Sequence, residues 1–533
     1  MSNQVRTILP LVLLSAVLLS IPWLVPHCGF FALVGFVPLL WAEHLASERG
    51  VKRFWGWIYL CFVLWNAATV WWVANATVGG AVFAVLANAL QMAVIWWPFR
   101  LFKKRFGGIL PYIFLAVLWI AWERWYLQSA EISFPWLVLG NAFAQSTRCI
   151  QWYEFTGTLG GSLWVWVCNI SIFLCLKGVR RPLRTAFFAW TAAVLAFPFA
   201  ASAHLYHYYK EKSEDSIKVL IAQPNFDPYE KFESLSQDEQ NAVLLGIYEK
   251  AMQGDSTWTG LLIAPETFTG DVVLNDIAAG NTFRTFQDFL SKHPGANLLF
   301  GASTYRIYPQ VRRPAPVARK INGGWSVSHN SAIMTDTSGR ADVFHKSKLV
   351  VGTELTPYPK IFVPLDDKLG GVMGRCVGQK RISCLPFIRD GSVTKIGVPV
   401  CYESIYGEYC TGYIKAGARA LAVITNDAWW GDTPGYRQHL SYSRLRAIET
   451  RRDIARCANT GISAIIDQRG DLPARTSWWQ EDCIEGEINL NSASTFFVRH
   501  GDIAGRSCVV IALIVALLWL LSAFSGRKFL LSR

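Results

Sequence analysis

Two common kinds of site are missing from this sequence of 533 residues. Its twelve cysteines form no CxxC pair and no cysteine–histidine cluster, so the ligand spacing of a zinc site is absent. No nucleic-acid-binding motif appears either, although Lys and Arg outnumber Asp and Glu by 51 to 38 and give a net charge of +13. We therefore expect no metal, no cofactor and no nucleic-acid partner.

Charged residues are scarce in the first 205 residues, which consist largely of long apolar runs. The whole chain is 52% hydrophobic, with 24 Trp and 32 Phe, which is too apolar for an ordinary soluble protein. Several runs are close to the roughly 20 residues that cross ~30 Å of hydrocarbon. We predict eight spans, at about 8–26, 28–46, 54–75, 80–100, 109–127, 160–178, 184–203 and 507–524. The first lacks a small-residue cleavage site, so we interpret it as a helix rather than a signal peptide.

Lysine and arginine are absent from two loops between these spans, "PHCG" (26–29) and "ANATVGG" (74–80). The alternate loops and the tail carry the positive charge, at Arg49, Lys52, Arg53, Arg100, Lys103, Lys104, Arg105, Lys177, Arg180, Arg181, Arg184, Arg527, Lys528 and Arg533. Because positively charged loops stay in the cytoplasm, both termini are predicted inside and the segment between spans seven and eight outside. The chain then divides into a membrane bundle (1–215), an outward domain (216–500) and a last helix with a basic tail (501–533).

The outward domain alternates strand-like and helix-like segments. Apolar runs predict strands within 217–225, 260–267, 296–304, 393–404, 419–431 and 461–472, and 329–350 reads as a hairpin about "TSGR". Helical periodicity appears at 237–252, at 282–293 and over a long segment at 436–458. This alternation favours an α/β sandwich with a buried sheet. Cys376 and Cys384 could form a local disulfide in an oxidising compartment, but spacing alone does not establish it.

Polar residues of unusual type stand where three of these strands end: Glu266 in "IAPET", Lys346 in "FHKSKLV" and Cys401 in "VPVCYES". A cysteine attacks as the thiolate, whose ordinary pKa is about 8.5. A carboxylate can take the proton, and a lysine can balance the charge and stabilise an oxyanion. Each residue also has a structural alternative, as a core cysteine, a helix cap or a solvated hairpin lysine. Periodicity does not separate Lys346 from Lys348, because both point to one face of a strand.

The segments "IAPET", "FHKSKLVVGTE" and "VCYES" resemble the signature segments of the nitrilase, or carbon–nitrogen hydrolase, superfamily. The segment 425–467, beginning "TNDAWWG", is similar to the superfamily's segment after the cysteine. Such a domain between seven spans and one span resembles the apolipoprotein N-acyltransferase family, as does the loop "ISFPWLVLGNAFAQ" (132–145). The resemblance covers nearly the whole chain and implies a membrane bundle plus an extracytoplasmic αββα sandwich.

The resemblance implies Glu266 as general base, Lys346 as the triad lysine and Cys401 as nucleophile. It places Glu354, Tyr402, Glu403 and Trp429 at substrate-binding positions. Two departures are "LVVGTE", where the family commonly has "LVPFGE", and "DAWWG" for "DAWFG"; the first puts the shape of the lysine loop in question.

The implied reaction is a two-step acyl transfer, through a Cys401 thioester, from a membrane phospholipid to the α-amine of the diacylglyceryl-cysteine of an apolipoprotein. The implied location is the cell inner membrane, with the catalytic domain in the periplasm, and we expect a monomer. A thioester must be kept from water, so Tyr402, Trp429, Trp430 and the "FPW" loop (134–136) are candidates for an apolar screen.

Two alternatives remain open from the sequence. One is a membrane-anchored amidase or nitrilase that hydrolyses a C–N bond with the same three residues. The other is a non-enzymatic lipid-binding scaffold. The membrane bundle argues against the first, and the intact trio argues against the second.

Overall fold

The computed structural model describes residues 3–178, 181–228, 231, 234–309, 312–368, 370–371 and 373–524. It divides into two units: Met1–Tyr209 with His500–Arg533, named here the helical unit, and Lys210–Arg499, named here the α/β unit. Four of the positively charged residues used to predict the membrane orientation lie outside the described residues: Arg180, Arg527, Lys528 and Arg533.

The helical unit is built from apolar helices joined by short loops. Its α-helices are Asn3–Leu24, Ala32–Gly35, Val37–Glu48, Trp55–Val70, Val73–Ala76, Val78–Arg105, Leu110–Gln128, Tyr153–Lys177, Arg181–Tyr208 and Ile503–Phe524. Short 3-10 turns cover Gly29–Phe31, Pro135–Leu137, Leu139–Phe143 and Thr147–Cys149. Phe496–His500 is a short helix at the boundary between the two units.

Within the described residues, six helical segments are long and apolar enough to cross a membrane. They are Arg6–Leu24, Gly29–Glu48, Val78–Arg105, Tyr153–Lys177, Arg184–Tyr208 and Ile503–Ser522. The sequence-based count of eight is therefore larger than the structure supports. Of the other two predicted spans, one is a helix of only 16 residues, Trp55–Val70, and the other, Leu110–Gln128, carries the charged pair Glu123 and Arg124.

The α/β unit contains fourteen described strands. They are β1 (Asp215–Gln223), β2 (Gly260–Ile263), β3 (Thr269–Val273), β4 (Ala296–Tyr308), β5 (Arg319–Ile321), β6 (Gly324–Thr335), β7 (Ala341–His345), β8 (Leu385–Arg389), β9 (Ser392–Gly397), β10 (Ala420–Thr425), β11 (Ile454–Ala458), β12 (Ala464–Ile466), β13 (Ala474–Arg475) and β14 (Asp482–Leu490). The helices are Gln237–Met252, Asn281–Lys292, Pro359–Lys368, Gly407–Lys415 and Pro434–Thr450, with 3-10 turns at Ile277–Ala279, Cys401–Ile405 and Ala428–Trp430.

The strands form two sheets that pack face to face. One has the order β14-β1-β2-β4-β6-β5, with β3 paired to β4 and β7 paired to β6; the other has the order β13-β12-β11-β10-β9-β8. Strand β1 shows how the sequence builds the layers, since Val219 and Ile221 join the core between the sheets. The alternate residues Leu220 and Ala222 join a second core formed with the two helices Gln237–Met252 and Asn281–Lys292. The predicted fold class, a helical membrane region with an α/β sandwich, is confirmed.

The long helix predicted at 436–458 is wrong in its last third. The helix ends at Thr450, because Arg451 adopts a left-handed conformation with φ 48°. Strand β11 follows and pairs in parallel with β10. By contrast, the predicted hairpin at 329–350 is present as β6 and β7, which pair Thr335 with Ala341. All twelve cysteines are free thiols, so Cys376 and Cys384 are not joined.

Candidate active site

The three residues predicted from strand ends lie in one buried cluster of the α/β unit. Glu266 follows β2, Lys346 directly follows β7, and Cys401 begins the 3-10 turn after β9. Glu266 is 5% exposed, Lys346 1% and Cys401 8%. Strand β10 and the chain before Cys401 are linked by a parallel bridge between Val400 and Ile424, which aligns the cysteine with the end of that sheet.

Lys346 is the centre of an ion-pair network with two carboxylates. Its Nζ lies 2.9 Å from Glu266 Oε1 and 2.9 Å from Glu354 Oε1. The side-chain amide of Asn330 donates to the same two oxygens, at 2.8 Å and 2.6 Å. Glu354 Oε2 accepts from the Val350 N–H at 2.8 Å, so the loop that departs from the family pattern still brings Glu354 to the lysine.

The electrostatics of this cluster favour a charged lysine and a resting thiol. Burial alone would lower the pKa of Lys346, but the carboxylates of Glu266 and Glu354 outweigh it and hold that pKa well above its usual value. Burial and, second, the Glu266 charge raise the pKa of Cys401 well above its usual value, while Lys346 acts to lower it. The thiol therefore needs a base to ionise it, and Glu266 is the carboxylate close enough to influence it most.

A glycine on the neighbouring strand allows Glu266 to reach this position. A Cβ on Gly301 of β4 would lie 2.5 Å from Glu266 Cα and 2.6 Å from Pro265 O. The Gly301 N–H donates to Pro265 O at 3.1 Å, and the Asn426 N–H donates to Glu266 Oε2 at 3.1 Å. One backbone N–H therefore holds the loop directly before Glu266, and the other holds the carboxylate itself.

Glu403 holds the loop that carries the cysteine. It is fully buried, and one oxygen accepts from the Ser347 N–H at 2.6 Å and the Tyr409 hydroxyl at 2.7 Å. The other oxygen accepts from the Val400 N–H at 2.9 Å and the Tyr413 hydroxyl at 3.0 Å. Burial raises the pKa of Glu403. These partners tie the cysteine loop to the lysine loop, which is a positioning role; the substrate-binding role expected from the sequence stays a prediction.

The aromatic residues predicted as a screen have different surroundings. Tyr402 is 5% exposed and packs against Tyr406 with ring centroids 5.5 Å apart, whereas Trp429 is 36% exposed. Trp430 packs edge-on against His439 at 5.4 Å. The "FPW" loop belongs to the helical unit, where Trp136 is 1% exposed and packs against Trp72 at 4.8 Å. Their shared role as a screen stays a prediction.

A second buried group of charged and titratable side chains, not predicted from the sequence, lies beside Cys401. His439 Nδ1 lies 2.8 Å from Asp427 Oδ1, and Arg456 Nη2 donates to Asp427 Oδ2 at 2.6 Å. The ligating atoms of Cys401, Asp427 and His439 lie within 4.8 Å of one another, a grouping that a metal ion could use. The Arg456 guanidinium already pairs with Asp427 Oδ2, and this positive charge disfavours a metal ion at the same carboxylate. Asp427 could have been found, since it follows β10 as Glu266 follows β2, but His439 lies within a helix and carries no such local pattern.

Two family models match this chain, one within each unit. The model for the apolipoprotein N-acyltransferase N-terminal domain matches residues 15–171, and the model for carbon-nitrogen hydrolase matches residues 315–496. A Chlorobaculum tepidum protein named apolipoprotein N-acyltransferase is 28% identical over 515 residues, covering 95% of each chain. A Geobacter metallireducens protein of the same name is 28% identical, covering 95% of this chain and 94% of its own. A solved Saccharomyces cerevisiae member of branch 10 of the nitrilase superfamily aligns over 52% of this chain and 93% of its own, at 16% identity and a TM-score of 0.38.

Proposed function

This chain belongs to the apolipoprotein N-acyltransferase family, and we propose that it N-acylates lipoproteins through a thioester on Cys401. The acyl donor is a membrane phospholipid, and the acceptor is the α-amine of a diacylglyceryl-cysteine. The observation that carries this proposal is the buried contact of Lys346 with Glu266 and Glu354, since the charges of Lys346 and Glu266 act on the Cys401 thiol.

In the first step, Glu266 takes the Cys401 proton and the thiolate attacks the ester carbonyl carbon of the phospholipid. Lys346 and backbone N–H groups near Cys401 stabilise the oxyanion of the tetrahedral intermediate. The intermediate collapses to the thioester, the lysophospholipid alkoxide leaves, and it takes the proton from Glu266. Because the pKa of Cys401 is raised by burial and by Glu266, proton transfer and attack are coupled rather than separated by a stable thiolate.

In the second step, the acceptor amine attacks the thioester carbonyl. Glu266 takes a proton from the amine, the carbon–sulfur bond breaks, and the Cys401 thiolate receives that proton as it leaves. The products are an amide on the lipoprotein and the resting enzyme. Glu354 keeps Lys346 charged in both steps, since its Oε1 lies 2.9 Å from the lysine Nζ.

The proposal also includes the domain bounds of the chain and its orientation in the membrane. Residues 1–215 form the bundle, 216–500 the catalytic domain and 501–533 the last helix and tail. The Lys/Arg bias of the loops supports cytoplasmic termini and a catalytic domain in the periplasm, at the inner membrane. We further propose that one chain is the active unit, because the charged trio comes from a single chain.

The test separates a transferase from a hydrolase. Purified protein in detergent is first loaded from a phospholipid and then given a diacylglyceryl-cysteine peptide, and the ratio of N-acyl peptide to free fatty acid is measured. The proposal expects N-acyl peptide as the main product. Free fatty acid with no N-acyl peptide at saturating acceptor would favour an amidase-like hydrolase.

A further inference from the structure

The carbonyl of Cys401 is held by the charged group described above. His439 Nε2 lies 3.1 Å from Cys401 O, and the Ser404 hydroxyl donates to the same oxygen at 2.7 Å. His439, Asp427 and Arg456 are each 0% exposed. The network therefore joins three buried polar side chains to the backbone of the nucleophile.

His439 links the Cys401 carbonyl to Asp427 and Arg456. Its Nε2 lies 3.1 Å from Cys401 O and 3.2 Å from Ser404 Oγ. Its Nδ1 lies 2.8 Å from Asp427 Oδ1 and 3.3 Å from Arg456 Nη2. A carbonyl oxygen only accepts hydrogen bonds, so the contact with Cys401 is made by an Nε2–H donor.

The backbone at Cys401 needs such support. Its φ is 49°, in the left-handed region that non-glycine residues seldom adopt and that stores strain unless neighbours hold it. A peptide unit is planar, and its C=O and N–H point in opposite directions. Two donors on the Cys401 carbonyl therefore also fix the direction of the Tyr402 N–H and polarise that peptide.

We propose that His439, anchored by Asp427 and Arg456, is a positioning residue that orients the peptide between Cys401 and Tyr402 for stabilising the oxyanion. This rests on the proposed acyl transfer. A role in packing alone does not explain the network, because burying the ion pair of Asp427 and Arg456 beside His439 costs more than filling the same space with apolar side chains. Trp430 packs on the ring at 5.4 Å and holds it in place.

The test compares His439→Leu with His439→Gln. Leucine fills the space without a donor, while the glutamine amide can still donate to the Cys401 carbonyl. The matched control is His293→Leu, which removes another buried histidine (4% exposed) that pairs with Glu249. The rate of acyl loading on Cys401 is measured with full-length protein in mixed micelles of phosphatidylethanolamine and phosphatidylglycerol, with thermal unfolding recorded for each variant.

We expect His439→Leu to load about 10²–10³-fold more slowly, the usual cost of losing an oxyanion donor, with the phospholipid KM unchanged. His439→Gln should recover at least about tenfold of that loss at the same Tm as the leucine variant. The proposal is overturned if His439→Leu loads within about threefold of wild type, if glutamine gives no recovery, or if purified wild-type protein holds one metal ion per chain at this site. A wild-type protein that never loads an acyl group would instead overturn the proposed function.

Discussion

Lys346 and Lys348 stand two positions apart after β7, and the structure gives them different neighbours. Lys346 Nζ contacts Glu266 and Glu354, each at 2.9 Å. Lys348 Nζ lies over the rings of Tyr406 and Tyr409, at 4.9 Å and 5.9 Å from their centroids. We therefore predict that Lys346→Met slows acyl loading by at least about 10²-fold, because it removes the charge that we propose stabilises the oxyanion.

Lys348→Met is the matched control, since it removes an equal charge from the same loop. It should leave the loading rate within about threefold of wild type. Loading rates are measured by quenched time courses and mass spectrometry. If Lys348→Met proves the slower variant, the lysine of the trio has been placed two residues too early.

His329 and His345 form a stacked pair with ring centroids 4.1 Å apart, next in sequence to Asn330 and Lys346. Burial and then the His329 charge lower the pKa of His345 to about 4, and burial also lowers the pKa of His329. A folded-state pKa below the unfolded value means that the unfolded chain binds more protons in acid. Stability is therefore complete above about pH 6.5 and falls as the pH drops from there toward 4.

Thermal unfolding at pH 7.5 and pH 5 checks this expectation. The drop in Tm between the two pH values should shrink in His345→Gln, whose amide can keep the 2.7 Å contact with Ser331. The exposed His500→Gln should leave the drop unchanged. An equal drop in wild type and His345→Gln would show that other groups control the acid response.

Part of the candidate active site could be predicted from the types and positions of single residues. Glu266, Lys346 and Cys401 stood out because each is a reactive residue type near the end of a strand predicted from the sequence. Asn330 did not, because it lies inside β6 and reaches both carboxylates only through the pairing of that strand with its neighbours. His439 was not predicted either, because a histidine within a helix shows no local pattern and its contacts form only when the chain folds.

Strand β4 supports the site through the missing side chain of Gly301. We predict that Gly301→Ala lowers acyl loading strongly, because the added methyl would meet Glu266 Cα at 2.5 Å and the Thr267 backbone N at 2.6 Å. The loop with the carboxylate would have to move away from Lys346. The control is Gly270→Ala on β3, where an added Cβ meets nothing within 4 Å.

Loading rates and Tm of the two variants test this prediction. Gly301→Ala with wild-type loading would mean that the Glu266 loop tolerates displacement and that its backbone contacts do not set the geometry of the base.

The bounds of helices and strands were predictable where a single local sequence pattern was dominant. Helix Gln237–Met252 begins at its predicted residue because Ser236 and Glu239 form a capping box there. The C-terminal end of the helix Pro434–Thr450 was not predictable, because the following segment "RRDIARCA" (451–458) continues a helical pattern in the sequence. A left-handed Arg451 and pairing with β10 turn that segment into a strand, and both depend on the folded sheet.

The fold class of the whole chain was predictable from its sequence, but the number of membrane spans was less so. Composition separated an apolar helical part from an α/β part, since the two differ in pattern over hundreds of residues. Eight spans were expected and six candidates are present in the described residues. Hydropathy alone did not show that Trp55–Val70 is a shorter helix.

The proposed orientation makes a prediction about labelling from the two sides of the membrane. In a variant without other accessible cysteines, Ser256→Cys in the α/β unit should react with an impermeant maleimide added to the periplasmic side. Ser532→Cys should react only after the inner membrane is opened. Protection of Ser256→Cys until the membrane is opened would reverse the topology, because it would place the α/β unit in the cytoplasm.

The central claim is that Cys401 carries the acyl group between two lipid substrates. The most direct measurement is mass spectrometry of the wild-type protein after incubation with phospholipid, mapped to the peptide that contains Cys401, and repeated after addition of a diacylglyceryl-cysteine peptide. The account predicts a long acyl chain on Cys401 that disappears as N-acyl peptide forms, and no adduct on Cys401→Ala. An acyl chain that loads equally on Cys401→Ala, or acceptor acylation without any adduct on Cys401, would contradict it.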